Sequence, residues 1–306
     1  MTPVPAFPDF VSLELGHKAE FDAALSSMER SVSELSFANV YLFRKAHVYM
    51  ISSLGGLILL TARAYSGAPY AFPPLGAGDV DGAAKLLCGH LRGMGVSPVL
   101  FPVPQAMFAR HFDNGEWAGE PDRDGADYVY LREDLATLPG ARYHKKKNRL
   151  VKFLREASEA PVYSELESGH VAECADLARG WCDERCDISR PSTFSETEAA
   201  VEALEKKDEL GLKGGVALIG GKVVAYCLGE PLNEDTFVVH FEKGLPGQDG
   251  PAQFINMEFC KNSLGSFRYV NREQDLGDQG LRQAKLGYHP DHFAEKYRVR
   301  PGERTD

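Results

Sequence analysis

Short apolar runs of period two alternate with stretches of helical period along nearly the whole chain, which predicts an α/β protein. Residues 17–35 carry a polar, helical spacing. In "FANVYLFRKAHVYMISSLGGLILLTAR" (37–63) the apolar residues alternate or cluster as in strands, with a turn at Leu54-Gly55-Gly56. "VDGAAKLLCGHLRGMGV" reads as a helix, "SPVLFPVP" as a strand, and "YVYLREDLATLPG" as a strand running into a helical turn.

The second half repeats the succession. "ESGHVAECADLARGWCDERC" and "ETEAAVEALEKKDELGL" are amphipathic helices, and "GGVALIGGKVVAYCLGEPL" is a hairpin turning at Gly220-Gly221. "DTFVVHFEKGL" is a strand, "GPAQFINMEFCKNSL" a helix, "FRYVNREQDL" a strand and "DQGLRQAKLGY" a helix that Pro290 stops. Two similar successions predict a duplicated fold, with units 1–140 and 158–306 joined by a connecting helix over 141–157.

Composition narrows the class. With 306 residues, 43% hydrophobic and 25% charged, the chain suits a soluble globular protein of one large or two ordinary domains. The apolar window 48–62 is interrupted by serines and glycines, whereas a spanning helix needs roughly 20 apolar residues. The N-terminal residues lack the pattern of a signal peptide. The expectation is a cytoplasmic protein without integral membrane association.

The six cysteines form no CxxC pair and are expected as free thiols. His170, Cys174, Cys182 and Cys186 fall near one helical face. Sixteen helical residues nevertheless extend about 24 Å, too far for one ion, so no metal site is assigned. His289 and His292 are likewise not assigned to a metal.

A formal charge of -10 argues against general attraction to polyanions. Seven Lys or Arg between Arg142 and Arg155 are the exception. Leu150, Phe153 and Leu154 make this segment a basic amphipathic helix, on which Lys145, Lys146, Lys147, Arg149 and Lys152 could meet phosphates. Docking on an acidic neighbour within the chain is the competing explanation.

Several strings carry a family resemblance: "YVYLREDLATLPGARYHKKKNRLVKF", "VHFEKG", "FINMEF" and "YVNREQDLGDQGLRQAKLGYHP". They resemble the phosphatidylglycerol lysyltransferase C-terminal-domain family. That resemblance implies two tandem Gcn5-related N-acetyltransferase-like (GNAT-like) units, each a mixed sheet flanked by helices. It also implies transfer of an aminoacyl group from aminoacyl-tRNA to an acceptor. In the family's membrane-bound enzymes that acceptor is a lipid head group; here a small molecule or peptide is expected.

Alternation along "TFVVHFEK" places Phe237, Val239 and Phe241 on one face and Val238, His240 and Glu242 on the other. Either Glu242 or His240 would then serve as general base. In GNAT-like sheets the next strand diverges from this one, which puts Asn271, Arg272, Glu273 and Asp275 at the mouth of the gap. Arg282 and Lys285 share a face of the following helix, and Tyr288 closes it. Carboxylates there would hold or deprotonate an amine, while Asn and Arg would face a developing oxyanion. A structural ion network fastening the last helix is the alternative.

Acetyltransferases of this fold cradle the coenzyme A diphosphate at an Arg/Gln-x-x-Gly-x-Gly/Ala loop. The equivalent "KGLPGQDGPAQF" keeps Gly250 and Ala252 but has Gly247 at the first position, and Pro251 has no N–H to donate. Aminoacyl-tRNA is the expected donor, a coenzyme A thioester the alternative. A non-catalytic module binding an amino acid, peptide or RNA end is a third possibility.

Overall fold

A computed structural model of the chain describes residues 3–185 and 191–302. Its strands are β1 (Val11–Ser12), β2 (Met50–Leu54), β3 (Leu57–Arg63), β4 (Pro69–Ala71), β5 (Leu100–Pro104), β6 (Trp117–Pro121) and β7 (Asp127–Leu131). There follow β8 (Val162–Glu165), β9 (Lys213–Ile219), β10 (Lys222–Pro231), β11 (Thr236–Gly244), β12 (Tyr269–Asn271), β13 (His292–Ala294) and β14 (Lys296–Pro301). They form two sheets, ordered β1-β2-β3-β4-β5-β14-β6 and β13-β7-β12-β11-β10-β9-β8. Each sheet contains a parallel pair, β4 with β5 and β11 with β12, beside antiparallel ones such as β2 with β3 and β10 with β11. This is the tandem GNAT-like architecture.

The compact units are 1–126 with 294–306, and 127–293. They differ from the expected division at 140 and 158. Strand β7 hydrogen-bonds to β12 and so belongs with the second sheet, while β14 pairs with β5 and β6 in the first. Pairing across long sequence separations fixes these boundaries, and local periodicity carries no trace of it. The basic helix, His144–Glu156, packs within the second unit.

In the first unit the helix Val80–Gly93 buries Val80, Ala84, Leu87 and Leu91 with Leu57, Leu59, Leu100 and Val299. The β-like reading of "FANVYLF" is overturned there. Residues Phe37–Leu42 form a helix in which every residue is buried, so no helical stripe was visible. Ser36 caps it by accepting from the Asn39 N–H at 3.1 Å.

The second unit packs the helix Pro251–Asn262 on its sheet through Phe254, Ile255 and Phe259, against Ala225, Phe237, Val239 and Val270. The expected hairpin turn is present, with Gly220 and Gly221 at φ 56° and 77°. Among the described residues no helix is long and apolar enough to cross a membrane. Cys186 of the considered metal group lies outside the described residues, and Cys174 is buried.

Candidate functional site

The parallel ladder between β11 and β12 runs only from Thr236–Tyr269 to Val238–Asn271. Beyond it the strands lose register, and side chains bridge them. His240 Nδ1 lies 2.8 Å from Glu273 Oε1, and Glu242 Oε1 accepts from Arg272 Nη2 at 2.9 Å.

These bridges occupy opposite faces of the sheet, contrary to the alternation expected from sequence. Opposite β10, Leu228 pairs with Phe241 but Gly229 pairs with Val239, so His240 is the extra residue of a β-bulge. Gly229 allows the crowding, because a Cβ there would stand 1.9 Å from the Val238 carbonyl oxygen. Past the bulge the alternation inverts. Glu242 turns to the helix Pro251–Asn262 and accepts from Asn256 Nδ2 at 2.9 Å, whereas Lys243 turns to the other side and pairs with Glu196.

On that other side, His240 is clamped at both ring nitrogens, since Nε2 lies 3.1 Å from Glu230 Oε1. Burial opposes its charge, but the two carboxylates outweigh burial and raise its pKa to about 10. An imidazolium so held has no free nitrogen to take a proton, which removes it as a general base. Asn271, fully buried, donates to Asp127 at 3.0 Å and accepts from the Glu273 N–H at 2.8 Å.

Asp275, also fully buried, is gripped by Arg282 at 2.7 and 2.8 Å and by the Tyr128 hydroxyl at 2.5 Å. Burial would raise its pKa, yet these donors hold it down at about 2. Lys285 donates to the carbonyls of Arg272 and Gln274 at 2.6 and 2.5 Å. Asn271, Asp275, Arg282 and Lys285 therefore secure the turn after β12 to the helix Gln279–Leu286. They stabilise left-handed backbone at Glu273 and Leu276, φ 56° and 51°, which costs roughly 1–3 kcal/mol each.

The helix-side cluster is different in kind. Arg272 sits over the Tyr288 ring at 4.6 Å and beside Tyr130 at 5.6 Å. Its Nη1 is buried without a hydrogen-bond partner, as are Asn256 Oδ1 and Gln253 Oε1. Lys146 enters from the basic helix. Its Nζ lies 3.9 Å over the same Tyr288 ring and donates to the Ala284 carbonyl at 3.1 Å. Burial first, then the nearby Arg272 charge, lowers its pKa to about 8.

Glu242, Arg272, Tyr288 and Lys146 thus come together with Asn256, and Gln253 lies three residues before it on the same helix; the sequence reading missed both amides. Their signal was faint: two amides one turn apart in "PAQFINMEF", whose neighbours Phe254, Ile255 and Phe259 are core. Lys146 was assigned to phosphate contact, but it is 8% exposed and points inward. Lys145, Arg149 and Lys152 are exposed and Lys147 partly so. Arg149 faces Asp249 at 3.5 Å and Lys152 faces Glu156 at 3.9 Å.

The loop 247–252 does not suit a coenzyme A diphosphate. At Gly250, φ 114°, an added Cβ would fall 2.1 Å from Phe153 Cβ and 3.0 Å from the Arg149 carbonyl oxygen. The basic helix therefore covers the helix start that a diphosphate would need, and Pro251 there contributes no N–H. Gly247 is exposed, and Ala252 packs its backbone nitrogen near Gly244.

Residues 25–300 match the family model described as phosphatidylglycerol lysyltransferase, C-terminal. A conserved protein of unknown function from Bacteroides thetaiotaomicron is 30% identical and superimposes with a TM-score of 0.84, covering 96% of this chain and 99% of that one. The C-terminal domain of a putative lysylphosphatidylglycerol synthetase from Agrobacterium fabrum shares the fold, with 13% identity, a TM-score of 0.63, and 93% and 92% covered. A curated relative, an uncharacterised protein of Mycoplasmoides gallisepticum, is 19% identical over 57% of this chain and 56% of its own length.

Proposed function

This chain belongs to the phosphatidylglycerol lysyltransferase C-terminal family, and from that premise we propose that it transfers an aminoacyl group from aminoacyl-tRNA to an amine or hydroxyl. One observation carries the reading. Where β11 and β12 diverge, the Glu242–Arg272 pair is surrounded by buried polar atoms, Arg272 Nη1 and Asn256 Oδ1, that have no partner within the chain. Native interiors satisfy nearly all such atoms, and each exception costs roughly 1–3 kcal/mol. A reacting ligand would complete them.

In this reaction the acceptor attacks the ester carbonyl carbon directly. A bond forms from the acceptor nitrogen or oxygen to that carbon while the bond to the ribose oxygen breaks. Arg272 Nη1 faces the negative charge that grows on the carbonyl oxygen. Glu242, fixed by Arg272 and Asn256, orients the acceptor's hydrogens. Lys146, whose amine is partly neutral near its pKa of about 8, takes the proton and returns it to the departing ribose oxygen. No covalent enzyme intermediate is required. Lys145, Lys147, Arg149 and Lys152 on the outer face of the basic helix would meet tRNA phosphates.

Ligand-dependent thermal stability tests the donor. Aminoacyl-tRNA should raise the melting temperature in low salt and lose that effect as salt rises, while acetyl-CoA should leave it unchanged. Stabilisation by acetyl-CoA and indifference to aminoacyl-tRNA would reverse the assignment.

A further inference from the structure

We infer that the acceptor at this site is a primary amine rather than an alcohol, so that the product is an amide. The inference rests on the transferase reading and commits the choice that reading leaves open. Its basis is the polarity of the unfilled positions beside Glu242.

Asn256 is 3% exposed, and its amide orientation is settled by its neighbour: only the NH2 group can face the Glu242 carboxylate, 2.9 Å away. The amide oxygen must therefore point elsewhere, and it has no donor. Gln253, one turn earlier on the same helix, also leaves its oxygen buried and unmatched. Glu242 already accepts from Arg272 and Asn256, so the unmet acceptors are the Asn256 and Gln253 oxygens, three residues apart on one helix face, and both call for a hydrogen.

An ammonium group carries three N–H donors, whereas a hydroxyl carries one and brings lone pairs that would face the same oxygens unpaired. Leaving buried acceptors unmatched discriminates strongly between otherwise similar ligands. The cationic neighbours complete the argument. An ammonium attacks only after losing a proton, and Arg272 beside it favours that loss by like-charge repulsion. After that first proton has gone to solvent, the neutral amine attacks and the N–C bond forms, a second nitrogen proton passes to the neutral Lys146 Nζ, the C–O bond of the ester breaks, and the ribose oxygen takes that proton.

The test presents the full chain with labelled aminoacyl-tRNA and a panel of primary amines and their matched alcohols, and treats any product with mild alkali. The inference expects label in the amines, as alkali-stable amide, with at least tenfold preference over the alcohols. In Gln253→Leu the KM for the amine should rise about tenfold with kcat nearly unchanged. Alkali-labile ester from the alcohols would overturn the inference while leaving the transferase reading intact. If no acceptor is labelled, the transferase reading fails, and calorimetric binding of the same amines decides the inference. Binding of amines but not alcohols, weakened in Gln253→Leu, upholds an ammonium site; equal binding or none sinks it.

Discussion

His240 is the residue whose chemistry the fold changes most. Its raised pKa means the folded state binds more protons than the unfolded chain between pH 6.5, the ordinary value, and about 10. The stability it contributes is therefore complete below pH 6.5 and fades as pH climbs toward 10. Lys146 and Lys285 have the opposite sign. Burial lowers each to about 8, so their penalty is relieved as pH rises from about 8 to 10.5. Urea unfolding should show wild-type stability declining from pH 6.5 to 8 and rising again above, where two lysines outweigh one imidazolium. In His240→Gln the decline should be largely absent; parallel curves for the two proteins would refute the clamped imidazolium.

Asp275 offers a second residue-scale check. Replacing it by Asn should cost about 3–5 kcal/mol, because Arg282 and the turn lose their buried counter-charge. A loss below about 1 kcal/mol in denaturant titration would contradict its anchoring role. The charges at 271–275 were legible in sequence as a dense cluster. What could not be read was their division into anchors and open groups, since that follows from one bulge at His240, which reverses Glu242 without altering composition.

Among the elements, the basic helix presents two different faces, Leu150 and Phe153 buried and Lys145, Arg149 and Lys152 exposed. Gly250 reports on the inner one. Gly250→Ala must push against Phe153 as well as adopt φ 114°, whereas Gly247→Ala at φ 71° meets nothing within 4 Å. The first should lower stability by clearly more than the roughly 1–2 kcal/mol expected for left-handed backbone alone, and the second by about that amount. Similar melting temperatures for both variants would mean the helix start is open after all. The outer face should govern salt dependence. A Lys145→Glu, Lys147→Glu double variant should lower the slope of log affinity for tRNA against log salt by about 0.7–0.9 per contact removed. An unchanged slope would place RNA elsewhere.

Helical and strand periods were readable for most elements, and failed where an element is buried all round, as at Phe37–Leu42. The basic stripe was readable too, but Lys146 lies on the same run as its exposed neighbours, and only packing against Tyr288 distinguishes it.

For the molecule as a whole, the duplicated succession was visible along the chain, but the exchange of β7 and β14 was not. A fragment spanning 127–293 contains every strand of the second sheet through Phe293, and should show sharp side-chain signals by NMR. A fragment of 158–306 lacks β7 and the basic helix, leaving one edge of β12 unpaired, and should not. The reverse result would restore the boundary expected from sequence.

The central claim is that the diverging β11–β12 gap, on its helix side, performs acyl transfer from aminoacyl-tRNA. Single-turnover release of a labelled aminoacyl group to an acceptor tests it most directly, with folding of each variant verified by its melting curve. Wild type should transfer the label, and Arg272→Gln should slow transfer by about 10²–10³-fold, the usual loss for one donor to a developing oxyanion. Folded Arg272→Gln transferring at the wild-type rate, or wild type transferring nothing, would contradict the account.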